Sequence, residues 1–514
     1  MRALWRGPRN FIRLFEIVFT LARYDALFLV EPIAPIVRLL KPLRRRPPGA
    51  ARPGERLAAA LQALGPSFIK LGQALSLRAD LIGEEVATDL AMLQDRLAPF
   101  PGSEARAVVA SELGRPLDEI FRSFDENALA AASIAQVHFA ITAEGEEVAV
   151  KVLRPGIAAA FARDLDLFYW LAGLVEWLEP SLRRLKPRAV VETLAQSVQL
   201  EMDLRFEAAG ASELRENFAG DPSFRVPRID WRRTARQVLT LERVSGIRVD
   251  DRAALLAAGH EPQAILEKAA SAFFNQVFRD GFFHADLHPG NLFIDHDGAI
   301  VAVDFGIMGR LDRKTRFFLA DMLMAFLSGD YERVAEVHFE AGYVPPHQSR
   351  AWFAQACRSI GEPILGQPMH EISLGRLLAQ LFRVTEQFEM ETQPQLLLLQ
   401  KTMVVAEGVG RLLDPQVNMW MLSRPLIEEW MRENRGPEAR IVDAAADALS
   451  VLQRAPAVLQ SLEKIAADIA EGGGLPLHRD ALASIARRGA IELLGLPLWI
   501  AGLALAAIAL ALWW

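Results

Sequence analysis

Apolar and polar residues change period several times along this chain, and each change marks a new element. Residues 11–30 place Phe11, Ile12, Phe15, Val18, Phe19 and Ala22 at roughly helical spacing, with charges between them, which predicts an amphipathic helix. Pro42 and the run Arg44-Arg45-Arg46-Pro47-Pro48-Gly49 predict a linker, because no helix continues through it. From residue 53 to about 124 the pattern is helical, with breaks at Gly65-Pro66, Pro99 to Gly102 and Gly114 to Pro116, and it precedes any predicted strand. Between residues 131 and 153 the period falls to two. SIAQVHFAIT and EEVAVKVLR alternate like half-buried strands around a turn at Ala143-Glu144-Gly145-Glu146. Helical patterns follow at about 156–179 and 187–217, then strands at about 225–230 and 236–243. In HADLHPGNLFIDHDGAIVAVDFG, residues 284–306, NLFID and AIVAVDF read as short strands joined at His296-Asp297-Gly298. Beyond Gly306 the pattern is almost wholly helical to about residue 470, and Gly472-Gly473-Gly474 marks a joint.

The last segment adds a membrane. No residue from 493 to 514 is charged, and a helix of that length spans about 33 Å against a hydrocarbon core of roughly 30 Å. A single transmembrane anchor is expected there, with a hairpin of two shorter membrane-dipping helices as the alternative. Trp499, Trp513 and Trp514 suit the two interfaces, and Arg487 with Arg488 favours a catalytic part on the cytoplasmic side. Net charge is −7, but it is unevenly placed: residues 1–56 carry twelve Lys or Arg against four acids. With apolar residues interleaved, that basic end suits an anionic membrane surface better than nucleic acid. The one cysteine, Cys357, excludes an internal disulfide and fits a reducing compartment. No signal peptide is expected, since Arg13, Glu16, Arg23 and Asp25 interrupt the first apolar run. At 514 residues the chain has room for two or three domains.

The candidate chemistry is concentrated in residues 284–306. Asp286, Asn291 five positions on and Asp304 opening an Asp-Phe-Gly triplet form a set suited to phosphoryl transfer: one carboxylate to orient a nucleophile, an amide and a second carboxylate to hold magnesium. The H-R-D-x-x-x-x-N and D-F-G template of kinases is matched except that Ala285 replaces Arg. Lys151, in Val148-Ala149-Val150-Lys151, matches the strand lysine that binds nucleotide phosphates. Its acidic partner should come from the following helix, where Glu192, Glu201, Asp203, Glu207, Glu213 and Glu216 are all candidates by spacing. The stretch where a glycine-rich loop is expected reads Ala130-Ala131-Ala132-Ser133-Ile134-Ala135, and alanine restricts φ too much to wrap phosphates as glycine does. His284, His288 and His296 lie near the site, but no cysteine and no paired helical spacing supports zinc. Three readings fit these residues: an atypical kinase or ATPase, a small-molecule phosphotransferase of the aminoglycoside or choline kinase sort, and a nucleotide-binding pseudokinase scaffold.

Further motifs separate them. Lys70-Leu71-Gly72-Gln73 resembles the KxGQ motif of the UbiB family of atypical kinase-like proteins, Ala130 to Ser133 its alanine-rich nucleotide loop, and Glu201-Met202-Asp203 its ExD motif. With VAVK, HxDxxxxN and DFG in order, the resemblance covers residues 55–430. Leu399-Gln400-Lys401-Thr402 and Glu407-Gly408-Val409-Gly410-Arg411 look like the bacterial ubiquinone-pathway branch. Small-molecule kinases would not carry the KxGQ motif. The resemblance implies an α+β, protein-kinase-like bilobal fold with an N-terminal helical extension, a mostly helical C-lobe and a C-terminal transmembrane anchor. The expected parts are a basic amphipathic segment and linker (1–52), the extension (53–125), an N-lobe (126–245), a C-lobe (246–435), a helical connector (436–490) and the anchor (491–514). It further implies that Ala130, Ala131, Ala132, Ser133 and Lys151 meet ATP, and that Lys151 pairs with Glu207. Lys70 would pair with Glu201, pinning the extension over the cleft; Asp286 would take the catalytic-base position, and Asn291 and Asp304 would hold Mg2+. The family implies ubiquinone biosynthesis at the bacterial inner membrane, with ATP hydrolysis coupled to the handling of lipid precursors. Implied partners are membrane lipid, isoprenoid quinone precursors and ubiquinone-pathway enzymes, with a homodimer as one option and no nucleic acid.

Overall fold

Alternation along VAVK sets the whole N-lobe. In the computed structural model Val148, Val150 and Val152 are buried on one face of a strand, while Ala149, Lys151 and Leu153 face the other way. That strand, β4 (Glu147–Leu153), lies inside an antiparallel sheet with β1 (Phe121–Phe124), β2 (Ala130–Ala131), β3 (Ala135–Thr142) and β6 (Val238–Glu242), in the order β1-β3-β4-β6 with β2 on β3. Helix Gly102–Leu113 covers the valine face through Ala105 and Val109. Ala149 and Leu153 on the opposite face join the main hydrophobic core, which includes Leu204, Ala208 and Ala211 from helix Leu204–Asn217. Lys151 therefore points toward that helix because of its parity in the strand.

The structure describes residues 6–29, 52–76, 82–91, 97–178, 187–363, short stretches between 380 and 390, 393–414 and 419–435. The predicted linker at 42–49, the connector and the membrane anchor lie outside them. Among the described residues no helix is long and apolar enough to cross a membrane. The chain divides into two compact units, Met1–Met431 and Arg432–Trp514, and the described residues fall almost wholly in the first.

Three expectations need correction. Strands begin earlier than predicted: residues 117–120 make a single short helix and β1 follows at once, so the sheet starts inside the stretch read as helical. The predicted helix 187–217 is two helices, Pro187–Glu201 and Leu204–Asn217, parted at Met202-Asp203. Asp203 adopts an extended backbone and its carboxylate accepts the Arg205 N–H at 3.1 Å, a cap that starts the second helix. The predicted helix over 11–30 is instead helix Arg6–Arg23 followed by a short 3-10 turn at Leu27–Leu29, and its apolar stripe is split between packing and exposure. Ile17, Leu21 and Ala22 are buried, whereas Phe15 and Phe19 are exposed with their rings stacked at 6.5 Å. Arg13 decides this orientation, donating to both carboxylate oxygens of buried Asp164 at 3.1 and 3.2 Å and to Leu64 O.

The C-lobe carries two small sheets. One runs β5-β10-β9-β7, made of β5 (Phe224–Arg225), β7 (Ile247–Arg248), β9 (Leu292–Ile294) and β10 (Ile300–Ala302). The other pairs β8 (Phe282–His284) with β11 (Met308–Arg310). Gly309 is required in that pair, since a Cβ there would stand 2.1 Å from the Phe283 ring. Helices from Arg313 to Gly361 and helix Pro394–Leu413 complete the lobe.

Candidate active site

The strand pair β9–β10 and the strand pair β8–β11 bring the three polar residues of 284–306 together. Asp286 follows β8, Asn291 precedes β9, and Asp304 stands between β10 and β11. Asn291 Nδ2 donates to the Asp286 carbonyl at 3.0 Å and to its carboxylate at 3.3 Å. Behind them His284 is fully buried and burial lowers its pKa, so its ring is neutral. Its Nδ1 accepts the Asp286 N–H at 3.1 Å, which leaves Nε2 to donate toward Val303 O at 3.4 Å. The His284 backbone N–H is in turn held by the buried Gln276 side chain at 2.9 Å, from the π-helical turn Asn275–Asp280. His288 and His296 do other work: His288 caps the turn before β9, and His296 stands beside Asp297 at the tip of the β9–β10 hairpin.

Lys151 joins the two lobes. Its Nζ donates to both Glu207 oxygens, at 2.8 and 2.9 Å, and to Asp304 Oδ1 at 3.0 Å. Burial lifts Glu207 to about 7, against the pull of Lys151 and with the help of the Asp304 charge. For Asp304 the loss of surrounding water works in the same upward sense, but the Lys151 ammonium prevails and holds it at about 2. Glu207 also accepts the Phe305 N–H at 3.3 Å, fixing the Asp-Phe-Gly backbone. Asp304 itself sits at φ 64°, a left-handed conformation that turns its side chain back toward Lys151. The lysine is accordingly held as a cation, its pKa raised by both carboxylates despite burial.

The kink at Asp203 explains why two glutamates six residues apart serve two lysines. Glu201 ends one helix and meets Lys70 Nζ at 2.7 Å; Glu207, in the first turn of the next, meets Lys151. Lys70 lies on helix Pro66–Ser76, so the ion pair ties the extension to this junction. The alanine-rich stretch is less available than its position suggests. Ala130 and Ala131 pair with β3, the Ala132 N–H closes a turn onto Ala135 O at 2.8 Å, and Ser133 is fully buried. None of the four has a positive φ, so this loop does not form the nest of outward N–H groups that a glycine loop forms.

The donor set fits magnesium. Asp304 is ionised with its side chain 45% exposed, and Asn291, whose Nδ2 is committed to Asp286, has its amide oxygen left to offer. Oxygen donors of this kind suit a hard cation.

Comparison with known proteins supplies the family. Residues 92–338 match the ABC1 atypical kinase-like domain and residues 357–418 the UbiB helical domain. A protein of Marinobacter nauticus named probable protein kinase UbiB is 42% identical over 90% of this chain and 86% of its own length. The chain belongs to the UbiB family of atypical kinase-like proteins. Two further relatives with the same name, from Pseudomonas entomophila and Xanthomonas axonopodis, are 40% and 44% identical, covering 98% and 84% of this chain and 95% and 80% of their own.

One residue at this UbiB-family site belongs to a motif to which the sequence assigns no site role. Lys401, on helix Pro394–Leu413, lies 3.7 Å from Asp286 Oδ1. Its motif, Leu399-Gln400-Lys401-Thr402, is visible in the chain, but nothing in the spacing places it beside Asp286, 115 positions earlier.

Proposed function

We propose that this chain is a membrane-associated, ATP-binding atypical kinase of the UbiB type, with magnesium-dependent ATPase activity, acting in ubiquinone biosynthesis. The three-way contact of Lys151 with Glu207 and Asp304 carries the nucleotide part of this reading. A cation anchored by a helix acid and beside the Asp-Phe-Gly aspartate is the arrangement that orients phosphates in kinases. Asn291 and Asp304 would hold magnesium, which when bound neutralises charge on the phosphate oxygens. Asp286 would orient the nucleophile. The Lys70–Glu201 pair, each side chain 10% exposed, ties the extension beside the cleft and supports water or a small group as acceptor rather than a protein serine in trans.

The ubiquinone part rests on what membership of the UbiB family implies. Membrane association is supported by the basic residues of 1–56, the exposed Phe15 and Phe19, and the apolar run 493–514. In this reading the lipid, isoprenoid quinone precursors and pathway enzymes are the partners, a homodimer is open, and the catalytic part faces the cytoplasm at a bacterial inner membrane.

The test is ATP hydrolysis by the full chain in anionic liposomes, with and without a quinone-precursor phenol, beside Asp304→Asn. Magnesium-dependent turnover that rises with lipid and vanishes in the variant is expected. Nucleotide binding without turnover would replace the ATPase by a nucleotide-binding scaffold.

A further inference from the structure

Lys401 comes from outside the kinase-like strands, yet it stands at the residue that orients the nucleophile. Its side chain is 28% exposed and that of Asp286 36%, so the pair is partly sealed but still open to an incoming group. At 3.7 Å the contact is an ion pair too long for a hydrogen bond. Among the described residues Asp286 is the one ion-pair partner of Lys401, and no hydrogen bond ties its ammonium to a protein acceptor. A compact ammonium on a flexible stem, committed to no protein acceptor and standing beside a carboxylate of the site, is placed for an anionic substrate.

Local packing fixes the direction of approach. Asn291 Nδ2 holds the other Asp286 oxygen, so Lys401 lies on the side of the carboxylate that Asn291 leaves open. The helix bearing Lys401 is firmly seated: Leu399, Val409 and Leu413 are buried, and Arg252 donates to Leu413 O at 3.0 Å. In phosphoryl transfer the residue that orients the nucleophile must lie beside the γ-phosphorus. A flexible lysine stem reaches a few ångströms further than its resting contact.

Resting on the nucleotide reading above, we propose that Lys401 is a further catalytic residue, binding the terminal phosphate of ATP and distinguishing ATP from ADP. During hydrolysis the water oxygen bonds to the γ-phosphorus as the β–γ bridging P–O bond breaks, and ADP leaves with the bridging oxygen. The water's proton passes to Asp286 or to solvent, while Lys401 keeps its own and stabilises charge on the phosphoryl oxygens. The helical segment thereby registers whether the third phosphate is present.

The experiment measures magnesium-dependent ATP and ADP affinity of the full chain in detergent by titration calorimetry. Lys401→Met should weaken ATP by about ten- to a hundredfold while ADP changes by no more than about twofold. Lys401→Arg should keep most of the preference for ATP, and Met403→Ala, an exposed change on the same helix, should leave both affinities alone. Unchanged ADP affinity also reports an intact fold; if Lys401→Met binds neither nucleotide, Lys401→Gln is read in the same way. An ATP-to-ADP ratio equal to that of the unaltered protein would overturn the role of Lys401 alone. Failure of the unaltered protein to bind either nucleotide would overturn the nucleotide reading itself.

Discussion

Lys151 donates to both carboxylate oxygens of Glu207, 56 residues away, at 2.8 and 2.9 Å. The same ammonium reaches Asp304 from the other lobe at 3.0 Å. One cation thus links a strand, a helix and the Asp-Phe-Gly turn, and the first prediction follows from removing it. Lys151→Met should weaken Mg-ATP binding by roughly ten- to a hundredfold, read by calorimetric titration. Unchanged affinity would remove Lys151 from the nucleotide site.

Glu207 makes the pH behaviour specific. It titrates near 4.5 when unfolded and is raised to about 7 in the folded chain by burial. The folded state therefore binds this proton more readily, so its contribution to stability is full below pH 4.5 and declines as pH rises toward 7. Melting midpoints of Glu207→Gln should fall less over that interval than those of the unaltered protein. Parallel curves would assign the dependence to another group.

Lys70 and Glu201 meet at 2.7 Å with little exposure. Removing one partner of such a pair costs about 3 kcal/mol, whereas replacing both by apolar residues recovers much of it. Lys70→Met alone should therefore be more destabilising than Lys70→Met with Glu201→Leu, as measured by denaturant midpoints in a double-mutant cycle. Additive losses would mean the two charges act independently.

Arg13 and the Phe15–Phe19 pair should separate docking from membrane contact. Arg13→Ala leaves buried Asp164 without its bidentate partner and should lower stability by about 2 kcal/mol. Phe15→Ser with Phe19→Ser, both on the exposed face, should leave the melting midpoint unchanged while reducing co-sedimentation with anionic liposomes. Full retention of liposome binding would take this helix out of the membrane reading.

Cys357 offers a probe of unfolding. Its thiol is buried and pushed up to about 12 by that burial, so a thiol reagent at pH 8 should label the folded chain about a hundredfold more slowly than the chain in guanidinium. Because the unfolded thiol ionises near 9, this group's contribution to stability declines as pH climbs above that value. Equal labelling rates would place Cys357 at the surface.

Much of the site can be read in the chain because the relevant constraints are local. Period-two alternation puts Lys151 on the opposite face of β4 from Val150 and Val152, and the short hairpin from Leu292 to Ala302 keeps Asn291 and Asp304 near each other. The helix after residue 187 was another matter. Six acids along it were equivalent by spacing, and the break at Asp203, which sends Glu201 to Lys70 and Glu207 to Lys151, depends on a cap that a helical pattern does not reveal. The inward face of the N-terminal helix was decided by Asp164, a charge buried 151 positions away. Lys401 meets Asp286 only because helix Pro394–Leu413 packs against β11 and helix Pro262–Phe274. By itself the sequence determined which residue types stand at which local positions, since strand parity and turn spacing act over a few residues. Tertiary structure decided which charge meets which, because ion pairs between distant elements depend on packing that no local period encodes.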